Sequence, residues 1–150
     1  MPIKTFRGKI ADGAQDIISL HTNNGSVGYR IVKFQTISAQ PSIGGNAGEH
    51  FTKIWSIAQT TISATTADID FSDQTLLAVN WSPNNAERPF ANSIIFDNMI
   101  FNQDIYITHT ETTTSQANNY YIELEQIRLD LNENTVATLK DIRNIEQPGV

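Results

Sequence analysis

Cysteine is absent from the 150 residues. That removes disulfides, thiolate metal sites and cysteine nucleophiles together. Charge is scarce as well. Asp, Glu, Lys and Arg make up 17% of the chain, against about 25% in an ordinary soluble domain. No apolar run approaches the roughly 20 residues that a membrane-spanning helix needs. The first residues, Met1 to Lys9, hold charge rather than an apolar stretch, which disfavours a secretory signal. Basic residues are in the minority, and the net charge is −6. A nucleic-acid partner is therefore not expected, because phosphate binding calls for a basic face. No membrane partner is expected either.

What fills the chain instead is Thr, Asn, Ser and Gln. Thr favours strands, whereas Asn and Ser favour turns. A length of 150 residues suits one domain with a real core. The pattern predicts an all-β fold, an antiparallel β-sandwich of jelly-roll type over 1–150, with 145–150 as a frayed tail. Strands are predicted at Lys4–Ile10, Gln15–His21, Gly28–Ser38, Thr52–Ala58, Thr75–Trp81, Ser93–Phe96, Phe101–Thr110 and Asn119–Leu131. Asn24-Gly25 is a strong hairpin signal, and it predicts that Gln15–His21 pairs with Gly28–Ser38. Gln40–Glu49, with Pro41 and three glycines, reads as a mobile loop. Thr60–Asp73, Ser82–Asn92 and Glu111–Asn118 read as polar connections. Thr135–Asn144 is ambiguous; its β-branched residues favour a strand over a helix.

Asn119–Leu131 is the best-defined stretch. Ile122 and Leu124 share one face, while Ile127, Leu129 and Leu131 fall in the opposite phase. A slip of one residue exchanges the two faces of a strand. A bulge or bend is therefore expected at Glu125-Gln126.

Motifs for chemistry are weak. Asp68, Asp70 and Asp73 are dense enough to suggest calcium, but they lack the turn glycine and closing Glu of a calcium loop. Gly44 to Gly48 lacks the Lys-Ser or Lys-Thr pair of a phosphate loop. His21, His50 and His109 lie far apart in sequence and read as isolated surface or strand-end residues. Glu123 and Glu125 share one strand face, whereas a glycosidase needs carboxylates facing across a cleft. No enzyme, cofactor or metal is expected. Trp55, Trp81, Tyr120 and Tyr121, with loop residues Pro41 and Gly45, are the interface candidates. The same aromatics could instead stack on sugars in a carbohydrate-binding module.

Three regions carry a resemblance: Gly28 to Phe34, Ile95 to Ile107, and Asn119 to Asn132 with Ala137 to Asn144. They resemble small virion structural proteins of marine tailed bacteriophages, including cyanophages. The resemblance implies a non-enzymatic virion component, foremost a capsid decoration (cement) protein. It would be made in the host cytoplasm, assemble as a homotrimer and bind the major capsid protein on the phage head. A tail, neck or fibre component is the other place in the virion. The resemblance carries no catalytic motif.

Overall fold

The structure is a computed structural model that describes residues 2–20, 26–40, 48–62, 68–84, 92–96, 99–112 and 115–129. Its elements are all strands: β1 (Ile3–Ile10), β2 (Gln15–Ile18), β3 (Val27–Ser38), β4 (Gly48–Trp55), β5 (Leu76–Asn84), β6 (Asn92–Ile95), β7 (Ile105–Glu111) and β8 (Asn118–Arg128). They make two antiparallel sheets, β1-β8-β3 and β2-β7-β4-β5-β6. The sheets pack face to face as a β-sandwich. Inward side chains of both, among them Phe34, Ile54, Ile107, Ile122 and Leu124, form one core cluster. At about 25 cal/mol per Å² of apolar surface removed from water, this burial is the main favourable term.

The strand order tests the jelly-roll expectation. A jelly roll nests four pairs: first with eighth, second with seventh, third with sixth, fourth with fifth. Here β1 pairs β8, β2 pairs β7 and β4 pairs β5. β6 pairs β5, not β3. The sandwich is thus established, and the third-with-sixth pair of a jelly roll is missing among the described strands.

The hairpin expected across Asn24-Gly25 does not form. β2 pairs β7 in one sheet, and β3 pairs β8 in the other. A turn signal fixes only a few dihedrals. Burial of Ile18 and Leu20 under the five-stranded sheet outweighs it. Residues 21–25 themselves lie outside the described ones, as do 41–47 and 130–150. The readings of those loops and of Thr135–Asn144 therefore fall outside the structure.

Several boundaries move, and β7 begins at Ile105 instead of Phe101. β4 begins at Gly48, four residues before the expected start, and ends at Trp55. β5 runs through Pro83 to Asn84. Pro83 pairs with Glu49 of β4, while β6 covers only Ala78 to Trp81. The side of Pro83 that lacks an N–H thus faces no strand neighbour among the described residues, which is where a strand tolerates proline.

The phase change in β8 is resolved without a bulge at Glu125-Gln126. β8 stays in register with β1 from Asn118 to Glu125. The irregularity sits in β3 instead, between Ile31 and Lys33. Val32 is the extra residue and is exposed, so Ile31 and Phe34 both point inward. Ile127 and Leu129 do face the other side, as the alternation requires. There Leu129 is buried, and both Ile100 and Leu129 crowd Gly28. A Cβ on Gly28 would stand 2.8 Å from Cγ2 of Ile100. The absence of a side chain lets this second apolar cover close.

Candidate functional site

Towards one end of the sandwich the interior turns polar. On β4 the inward side is His50, Thr52 and Ile54; on β7 it is Ile105, Ile107, His109 and Glu111; on β5 it is Ala78, Asn80 and Ser82. The isoleucines sit at the apolar end. The other residues make a hydrogen-bonded layer between the sheets. Thr36 Oγ1 donates to Asn80 Oδ1 at 2.6 Å, and Asn118 Nδ2 donates to Thr52 Oγ1 at 2.8 Å. Each ties one sheet to the other.

His50 and His109 are both fully buried and stack with ring centroids 5.0 Å apart. Nδ1 of His50 lies 2.8 Å from Nε2 of His109, and Nδ1 of His109 lies 3.1 Å from the Ala11 carbonyl. These distances fix the proton positions. A carbonyl only accepts, so Nδ1 of His109 donates to Ala11. Its Nε2 is then the acceptor, and Nδ1 of His50 donates to it. The result is a directed chain that runs from His50 to Ala11 and leaves a buried His50 Nε2 with no hydrogen-bond partner among the described residues. Ser82, opposite His50 in register, holds a hydroxyl that is likewise unpartnered. Burial first, and then the neighbouring His109, push the His50 pKa down to about 4 against the opposing pull of Glu111 and Asp12. Burial also lowers that of His109, opposed by the Ala11 carbonyl and the same two acids. Both rings are therefore neutral near pH 7.

The expectation of isolated surface histidines is corrected for these two. The missed signal was parity: each His sits two residues from an inward apolar or threonine position on its strand. Among the described residues, no group of three or more His, Asp or Glu side chains is arranged to hold a metal ion. The carboxylates of Asp70 and Asp73 close local turns. Asp70 Oδ1 accepts from the Ser72 N–H at 2.9 Å, and Asp73 Oδ1 from the Thr75 N–H at 2.9 Å.

The outer face of β1-β8-β3 is a different kind of surface. Its side chains form cross-strand rows: Ile3, Glu125 and Arg30; Thr5, Glu123 and Lys33; Arg7, Tyr121 and Gln35; Lys9, Asn119 and Ile37. Arg30 is ion-paired with Glu125, and Lys33 lies 3.9 Å from Glu123. Tyr121 donates to Glu123 at 2.8 Å, which raises its pKa. Both carboxylates are thus engaged, while Arg7 and Lys9 have no ion-pair partner among the described residues. A groove of about 420 Å³ runs between the last two rows. Ile37 at its edge is 68% exposed.

The expected interface aromatics divide. Trp55 is buried, donates from Nε1 to Thr108 Oγ1 at 2.8 Å and has the Lys53 ammonium over its ring. Tyr120 is buried and donates to Asp16 at 3.0 Å, and burial raises its pKa. Neither offers a free platform. Trp81 is half-buried on the outer side of the five-stranded sheet, and Tyr121 lines the groove. Pro41 and Gly45 lie outside the described residues. Comparison of the chain with protein-family models and with curated proteins finds no match.

Proposed function

We propose that the protein is a non-enzymatic structural component of a phage particle, a decoration protein that seats on the mature head as a trimer. One observation carries the reading. Both outer faces of the sandwich keep large apolar side chains in water beside charges of opposite sign. Ile3, Val32 and Ile37 stand among the cations of the three-stranded sheet, and Ile69 and Phe71 among the aspartates over the other. Apolar side chains rimmed by polar ones mark protein–protein contact surfaces. A two-layer sandwich tied across its interior by side-chain hydrogen bonds presents them rigidly, so little ordering is lost on docking.

The resemblance to virion proteins supplies the assembly, and the major capsid protein is the natural partner. Binding the assembled shell but not its dispersed subunits would stabilise the shell by mass action. The test is to mix the purified chain with mature phage heads stripped of decoration. Saturable co-sedimentation and a higher rupture temperature are expected. A chain left in the supernatant at micromolar concentration would overturn the reading.

A further inference from the structure

The two outer faces complement each other. Six of the seven described Lys and Arg residues, Lys4, Arg7, Lys9, Arg30, Lys33 and Arg128, lie on the three-stranded sheet, and four of them, Arg7, Lys9, Arg30 and Lys33, stand on its outer face. Only two of the ten described carboxylates, Glu123 and Glu125, lie there, and Arg30 and Lys33 engage them. On the opposite side, Lys53 projects from the outer face of β4 and donates to the Asp68 carbonyl. That anchors the 68–73 turn over the five-stranded sheet. The side-chain turns of Asp70 and Asp73 hold the segment in shape. Phe71 packs edge-on against Phe96 at 5.2 Å between centroids, yet stays 54% exposed; Ile69 beside it is 39% exposed. A rigid acidic turn thus displays an aromatic knob, and the far face offers a groove lined by Arg7, Gln35, Ile37, Asn119 and Tyr121.

We propose that these are the two halves of one contact between copies of this chain. The Phe71 turn of one copy seats in the Arg7–Tyr121 groove of the next, with the aspartates against Arg7 and Lys9. Aromatic and Arg residues in a desolvated pocket are the usual anchors of such contacts. The groove, at about 420 Å³, has room for a phenyl ring. A two-fold contact of the groove face with itself is disfavoured, because its free charges are cations and its carboxylates are already paired. The contact is therefore heterologous. It repeats around a ring or along a stack and does not stop at a dimer. The inference deepens the assembly reading, and it can hold where binding to phage heads fails.

Sedimentation velocity on the full chain, over a wide concentration range at low and high salt, tests it. Species larger than a dimer are expected, and salt weakens them. Phe71→Ala and Arg7→Glu, checked as folded by circular dichroism, should each weaken association at least tenfold. Combining Arg7→Glu with Asp68→Lys should restore part of what Arg7→Glu loses. A wild-type monomer at every concentration, a dimer that grows no further, or Phe71→Ala assembling like wild type would each overturn the proposal.

Discussion

His50 and His109 carry a pH signature that surface histidines would not. In the unfolded chain each titrates near 6.5. In the folded protein burial holds His50 to about 4 and lowers His109 as well. Between pH 6.5 and 4 the unfolded state therefore binds more protons than the folded one, and stability falls as pH falls. Below the folded value the His50 contribution levels off. Its size is on the order of 3 kcal/mol for a shift of this kind. Urea midpoints across that window should drop steeply, and His50→Gln should flatten the slope whatever it does to stability at pH 7. The Thr36–Asn80 bond makes a second test. Thr36→Val removes the donor and leaves the Asn80 oxygen buried, which should cost about 1–3 kcal/mol. Adding Asn80→Leu should recover part of the loss, because no polar atom then remains unpaired.

Strands differ in how far their residues announced them. β1, β3, β5 and β8 were legible, because alternation or a continuous apolar run marks burial directly. Partners were not. The turn signal that follows β2, Asn24-Gly25, pointed to β3, and nothing local to Gln15–Ile18 names β7, some ninety residues on. The polar interior was hidden for a related reason. His50 and His109 become neighbours only once β4 lies beside β7. Val32 was equally silent, since an exposed valine beside Lys33 looks like any surface position. Its role is one of counting. Ile31 and Lys33 already face successive residues of β8, Leu124 and Glu123, so deleting Val32 should remove the bulge without reversing either half of β3 and leave the chain folded by circular dichroism, and Val32→Thr should change the melting temperature little. The two tight glycines should differ as well. A Cβ on Gly8 meets the Tyr120 ring and hydroxyl at 2.7–2.9 Å, and that ring is held by Asp16. Gly8→Ala should cost about 1–3 kcal/mol by overpacking. Gly28→Ala meets the end of the Ile100 side chain, which can turn away, and should cost less.

At the scale of the whole molecule, charge is sorted by layer, and this was not legible from a net value of −6. The net charge counted against any basic face. The fold gathers most of its described cations on one sheet instead. A molecule of that kind should be retained on a cation-exchange resin at low salt and pH 7 despite its negative total. Arg7→Ala with Lys9→Ala should release it earlier in a salt gradient. Order of synthesis matters at this scale too. β8 is the last described strand, yet it lies between β1 and β3 and is the only described strand that joins them. While the ribosome is still short of Asn118, the three-stranded layer cannot exist. β1 and β3 wait as unpaired ribbons, and half the core has no lid. A message truncated before that point yields no smaller version of the protein, only a five-stranded sheet with a bare apolar face for proteases and chaperones to find.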